Sequence, residues 1–430
     1  MSVLIRNGRL IDPRSGIDGQ RDVLIGDGRI QTIAEARTLE TEGTRVIDAT
    51  GRWVVPGFVE LGADFCEPGH EYKEDLASGS AAATAGGFTH VAVSPATDPV
   101  IDSVESVEFV HRRAASLGIS VRALAASTLG LRGRALSPLA EMARAGAPAV
   151  SDGGHWIQDS ALMRRLLEYA GDFDVPVIST PSEPTLIRGG QIHEGQVSTA
   201  LGLRGIPRTA EDIAVTRDLI LAEATGARLH LSGISTEGAV RAIREFKARG
   251  VRVSADANPL NLAMTHDSLF GFPVELKLQP PLRENADRLA LVQGLKDGTL
   301  DCLSSHHIPQ SVMEKHSAFE GAEFGAPGLQ SALPVALSLV REHEVPELTL
   351  VRALSQSPAD LLGLAAGRVD EGFAAHLAVI DPTGTWTLNE ATSRSKSQAS
   401  VHFGKTLEGR VHMVIRDGDV ILHEGGDANS

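Results

Sequence analysis

Two rhythms of apolar and polar positions divide the chain. The first fifty residues read as short strands with tight turns: Val3 to Ile5 leads into Asn7-Gly8, and Val23 to Ile25 into Asp27-Gly28. Asn-Gly and Asp-Gly supply the positive φ angles that two-residue hairpins need, so both pairs are read as hairpin turns. The pattern returns at the far end, where Met413 to Ile415 precedes Asp417-Gly418 and Val420 to Leu422 follows. Both ends are therefore expected to build one small β-sandwich, from residues 1–55 and 368–430. The tail after Glu424 reads as frayed.

Between these ends, over residues 56–367, continuous apolar runs alternate with helical stretches. The runs lie near 58–61, 89–94, 120–125, 147–150, 175–179, 228–232, 251–256 and 301–304. Such runs predict parallel strands covered by helices. Thr209 with Asp212 resembles a capping box before Ile213, Leu219 and Ile220, and Gly226 closes that helix. Ser235 or Thr236 is placed to cap a second helix, with Ala239, Val240, Ile243 and Phe246 as its apolar stripe and Gly250 at its end. Eight β/α repeats predict an α/β fold of the TIM (β/α)8 barrel type. An open doubly wound sheet is the alternative that the same alternation allows.

Composition narrows the function classes. The 430 residues are 42% hydrophobic and 22% charged, enough for a sizeable core. A net charge of −15 repels phosphate backbones and argues against a nucleic-acid partner. No apolar stretch approaches the ~18 residues of a membrane span. The start MSVLIRNGRL lacks a basic segment followed by an apolar one, so no signal peptide is read. Two distant cysteines, Cys66 and Cys302, suit a reducing cytoplasm.

In a barrel, chemistry sits at the C-terminal ends of the strands. The first run leads to Gly62, Asp64, Cys66 and Glu67, the fourth to Ser151-Asp152, the fifth to Ser179-Thr180, the sixth to Ser232-Gly233, and the eighth to Ser305-His306-His307. This set is poor in the converging His, Cys and carboxylate groups that zinc wants. Asp64, Asp152, His155 and His306 are the residues from which a weaker metal site could be rebuilt; the alternative is that they bond locally and face water. His230, inside the sixth run, is read as a satisfied core histidine. Cys302 is read as buried rather than nucleophilic.

The segments PGFVELGADFCEPG (56–69), ATAGGFTHVAVSPATDPV (83–100), SDGG (151–154), GLRGIPRTAEDIAVTRDL (202–219), HLSGIST (230–236), QPPLRENADRLAL (279–291), SSHHIPQ (304–310), FGAPGLQSALPVAL (324–337) and KTLEGRV (405–411) together resemble the dihydroorotases and the wider cyclic amidohydrolases. The resemblance spans essentially the whole chain and implies the same barrel and terminal sandwich. It places the family's metal-binding HxH motif on Gly62 and Asp64, and the arginine and asparagine that hold substrate on Cys66 and Ala96. The bridging carboxylated lysine or aspartate falls on Asp152, and the two single histidine ligands on Thr180 and Gly233. The metal-binding general acid/base falls on His306, and the substrate-contacting loop histidine on Gln310. No lysine occurs between Lys73 and Lys247, so a carboxylated lysine on the middle strands is excluded.

With these positions degenerate, the resemblance implies no catalytic residue, no metal and no cofactor, and hence a non-catalytic dihydroorotase homologue. Its implied role is a scaffold subunit for aspartate transcarbamoylase in pyrimidine biosynthesis, in a hetero-dodecamer of six copies of each chain with homodimer contacts. Inactive chains of that kind resemble this one at SSHH. Two alternatives stand beside it. One is an active metal-dependent cyclic amidohydrolase, a dihydroorotase using zinc in a site rebuilt from Asp64, Asp152 and His306. The other is an inactive dihydropyrimidinase-like homotetramer.

Overall fold

A computed structural model describes residues 2–40 and 43–423; the tail after Glu424 lies outside the described residues. Strands from both ends hydrogen-bond into one sheet. Val3–Asp12, Ile17–Gly26, Arg29–Glu35, Arg45–Asp48 and Trp53–Pro56 come from the start of the chain, and Leu377–Thr387, Thr406–Arg416 and Asp419–His423 from its end. The seam is Trp53–Pro56, parallel to Val3–Asp12 on one side and antiparallel to Leu377–Thr387 on the other, with Val54 opposite Val379. The sheet curls until its far edges meet. A Cβ on Gly28 would lie 2.9 Å from the Asp417 carbonyl oxygen, and Ile25, Ile30, Met413 and Ile415 share one buried cluster.

Two of the three turn assignments stand. Asp27 and Gly28 (φ 51° and 77°), and Asp417 and Gly418 (φ 49° and 83°), join consecutive antiparallel strands. Asn7-Gly8 does not form a turn. The strand runs straight through it, and a register shift between Ile5 and Gly8 marks a bulge at which Asn7 takes φ 59°. The extra residue is absorbed there because the Asn7 N–H leaves the ladder and donates to Asp22 Oδ1 at 2.9 Å.

Each of the eight central runs contains a parallel strand: Phe58–Ala63, Phe88–Val93, Ser120–Ala123 continuing as Ala125–Ala126, Val150–Ser151, Val177–Ser179, Leu229–Leu231, Val253–Ala257 and Cys302–Leu303. They are numbered first to eighth below. The ladders fall into two sets, with a step at Leu124: its N–H bonds back to Val93, while that of Ala125 bonds forward to Ala149. Among the described residues no ladder joins the eighth strand to the first. That side is held by one backbone bond, Asp64 N–H to His307 O at 2.9 Å, and by buried Glu60, whose carboxylate accepts the Ser305 N–H and the Ser304 hydroxyl. The arrangement is of the TIM-barrel type.

The helix Glu237–Ala248 is capped by Thr236, which accepts from the Ala239 N–H, and it buries Ala239, Val240, Ile243 and Phe246 as its spacing predicts. Gly226 ends the preceding helix, Thr209–Thr225, at φ 69°. The capping box read at Thr209 is absent: Thr209 is already helical, and the Asp212 carboxylate accepts the Thr236 hydroxyl at 2.6 Å instead. A tertiary bond has taken the carboxylate that a local one would have used.

Candidate active site

The C-terminal ends of the parallel strands surround a cavity of about 420 Å³. Side-chain hydroxyls dominate its polar lining: Ser94, Ser151, Thr180, Ser232 and Ser304. Of the sequence-predicted positions, Gly62, Asp64, Ala96, Thr180 and His306 line it, as does His155; Cys66, Asp152, Gly233 and Gln310 do not.

Asp152 is turned away. Its two oxygens accept the Thr128 N–H at 2.8 Å and the Thr128 hydroxyl, which anchors the loop after the third strand. Burial raises its pKa despite those bonds. The Thr180 hydroxyl donates to the Gly153 carbonyl at 2.7 Å. Gln310 donates to Phe324 O at 2.7 Å and accepts from Lys73 at 2.9 Å. Burial pushes the thiols of Cys66 and Cys302 well above their usual range, so neither is an activated nucleophile.

The strongest polar assembly was missed by sequence reasoning. Asp256, fully buried at the end of the seventh strand, accepts from His306 Nε2 at 2.9 Å on one oxygen and from His230 Nε2 at 2.9 Å on the other, and also takes the Gly233 N–H at 2.9 Å. Ser254 meets His230 Nδ1 at 2.8 Å, so His230 has partners on both nitrogens. The available signal was a carboxylate in the apolar run VSADA.

His306 sits at φ 45°, a region that side chains other than glycine rarely adopt, and such strain gathers at functional sites. A Cβ at Gly233, itself at φ 76°, would lie 2.9 Å from His306 Cε1. The glycine at a family ligand position therefore makes room for this imidazole. With Nε2 bonded to Asp256, Nδ1 is the nitrogen left for a ligand, with no protein partner among the described residues.

Burial works to raise the Asp256 carboxyl, but the bonds and positive charge of the two histidines outweigh it and hold the carboxyl far below the usual range. Burial also opposes charge on His306, and here the Asp256 bond and the neighbouring negative charges win, raising its pKa. Asp64 next to this pair is raised by burial, against the pull of Ser94 and His307. A raised histidine contributes stability in full below its unfolded pKa and loses it as pH climbs through its folded value. A depressed carboxylate contributes above its unfolded pKa and loses it as pH falls through its folded value. The pair should therefore stabilise most between the ordinary carboxylate and imidazole values. Urea midpoints should show His306→Asn to be more costly at about pH 5 than at about pH 9. An equal cost at both would mean the pair is not ionised.

The donors expected for a rebuilt metal site do not come together. Gly62 and Gly233 carry no ligand atom, both Asp152 oxygens are engaged with Thr128, and His306 gives one nitrogen to Asp256. Asp64, His155 and His306 all line the cavity, but among the described residues no three donors that include them lie close enough together to share an ion, so no chemical step is assigned to a metal. Among the described residues a different trio, His193, His266 and Glu284, lies close enough for a cation, away from the cavity lining. Buried Arg283 donates to His193 Nδ1 at 3.2 Å, which leaves the proton on Nε2, the nitrogen facing Glu284. That tautomer is the wrong one for a ligand.

Solved structures share this fold. An L-hydantoinase (dihydropyrimidinase) from Arthrobacter aurescens superposes with a TM-score of 0.88 over 99% of this chain and 96% of its own, at 23% identity. A D-hydantoinase superposes at 0.84, covering 98% and 95%. The family described as "Dihydro-orotase-like" matches residues 51–239. Proteins named Dihydroorotase from Anaeromyxobacter dehalogenans (strain 2CP-C) and Trichlorobacter lovleyi are 44% and 40% identical, over 99% and 98% of this chain and 99% of each of theirs. The chain belongs to the dihydroorotase family. These full-length relatives bear the name of an enzyme, and they overturn the expectation that the chain is a non-enzyme. That expectation rested on missing metal ligands, which bear on one way of moving a proton and leave His306 with Asp256 unaccounted for. Among the described residues no helix is long and apolar enough to cross a membrane.

Proposed function

We propose that the protein hydrolyses a cyclic amide of the dihydroorotate class, with His306 as the group that moves the proton. The observation that carries this is the His306–Asp256 pair on the wall of the strand-end cavity. Asp256 orients the ring and stabilises its charged form, leaving Nδ1 towards the cavity. A water there loses a proton to Nδ1 as its oxygen bonds to the ring carbonyl carbon. The carbon–nitrogen bond then breaks, and the same proton passes to the departing nitrogen. Asp64, whose carboxyl pKa is raised by burial, lines the cavity with His306.

The test is turnover of dihydroorotate by the purified chain, in chelator and with added zinc. Turnover in chelator is expected. Turnover only with zinc would overturn the role given to His306, and none in either condition would overturn the activity.

We also propose assembly with aspartate transcarbamoylase, which is compatible with an active barrel. The resemblance of SSHH within SSHHIPQ (304–310) to subunits of such assemblies supports it, and Val312 and Met313 just beyond, at 64% and 83% exposure, are apolar side chains free to enter the contact. Light scattering of the co-expressed pair should give a single large complex; two separate peaks would exclude it.

A further inference from the structure

The cavity that holds His306 has no lysine or arginine among its described lining residues. Beside it lies a second, more open cavity of about 630 Å³, lined by Arg132 and Arg134 together with Trp156. The two share Gly154, His155 and Gln279, so they form one groove. The space at Gly154 is open: a Cβ there would meet nothing within 4 Å.

Both arginines are exposed, and neither guanidinium has a hydrogen-bond or ion-pair partner among the described residues. Arg165, Arg188 and Arg241 are also exposed without a side-chain partner; what sets Arg132 and Arg134 apart is their place together on the wall of a cavity that continues into the one holding His306. The backbone that carries the pair is fixed. Gly130 N–H donates to Asp102 at 2.9 Å, Leu129 N–H to Ala135 O at 2.9 Å, and Gly133 N–H to the Thr128 hydroxyl at 3.0 Å, Thr128 itself being held by Asp152. Asp152 and Asp159 also line this cavity: both Asp152 oxygens are engaged with Thr128, while Asp159 accepts the N–H groups of Ala161 and Leu162, at 2.8 and 3.2 Å, on Oδ1 alone, so the two arginines face one carboxylate oxygen left free on the same wall. Two guanidinium forks thus remain on a rigid loop at the edge of a groove whose deep end offers hydroxyls to an uncharged polar ring.

We infer that Arg132 and Arg134 form an anion subsite, which receives the carboxylate or phosphate of a ligand whose pyrimidine-type ring occupies the His306 cavity. This rests on the proposed function for the class of ring and adds where its charge is recognised. Asp152 then acts as a positioning residue for the loop.

The experiment is calorimetric titration of the full chain with two matched pairs: dihydroorotate against dihydrouracil, and uridine monophosphate against uridine. In at least one pair the anion should bind tenfold or more tighter than the neutral ring, and 0.5 M salt should erode the difference. In Arg132→Ala/Arg134→Ala, whose changes are on the surface, that preference should collapse to within about twofold with an unchanged melting temperature. A preference in the first pair assigns the subsite to a carboxylate, and one in the second to a phosphate. No preference in either, or a preference that the double variant keeps, overturns the inference. Turnover is read separately. Arginine-dependent binding without turnover removes the proposed function and leaves the subsite, while turnover with an unchanged KM in the variant does the reverse.

Discussion

His306→Asn should lower dihydroorotate turnover by about 10²- to 10⁴-fold, the usual contribution of a positioned general base. The change falls on kcat, because asparagine keeps the polarity of the cavity wall but accepts no proton. The pH profile supplies the stricter test. Hydrolysis by the wild type should decline as pH drops below the raised pKa of His306, because protonated Nδ1 accepts nothing. The residual activity of the variant should lose that limb. A variant within threefold of wild type at neutral pH would remove His306 from the chemistry.

Asp256→Ala should destabilise the fold by roughly 3–5 kcal/mol, the range for removing one partner of a buried charged pair. It strands His230, His306 and the Gly233 N–H together, and His230 has no path to water. Asp256→Asn preserves the shape and an acceptor and should cost less, while still slowing turnover because the imidazolium loses its counter-charge. Urea midpoints at pH 7 measure both. A loss under about 1 kcal/mol for the alanine variant would show that the cluster is relaxed by water and carries no strong pairing.

What the sequence made legible follows the range of the forces involved. Local periodicity placed all eight parallel strands, and the stripe Ala239, Val240, Ile243 and Phe246, because burial repeats along the chain. Asp27-Gly28 and Asp417-Gly418 were readable because their positive φ is a local demand. Asn7-Gly8 carries the same signature and makes a bulge, since the choice depends on Asp22 and on the partner strand. The site was harder. Motif spacing located the cavity and some of the residues around it, but could not show that Asp152 faces Thr128, that Gly233 opens space for His306, or that Asp256 ties three segments together. Each of these facts joins residues that are distant in sequence or depends on a rotamer. Reading function from lost ligands alone therefore erred: the absences were visible in the sequence, and the hydrogen bonds that join His230, Asp256 and His306 were not.

The curled terminal sheet has a consequence for synthesis. Val54 pairs with Val379, so Trp53–Pro56 leaves the ribosome 325 residues before the strand that completes its ladder. At ~5–20 residues per second this is a wait of roughly 16–65 s. Throughout it, a strand with all four residues buried in the finished fold stands as an open edge able to pair with another chain. The last strands to emerge close that edge. Truncation before residue 377 should therefore harm more than a terminal ornament: it should leave the nascent barrel joined to an adhesive ribbon, and such fragments should be recovered as aggregates or bound to chaperones.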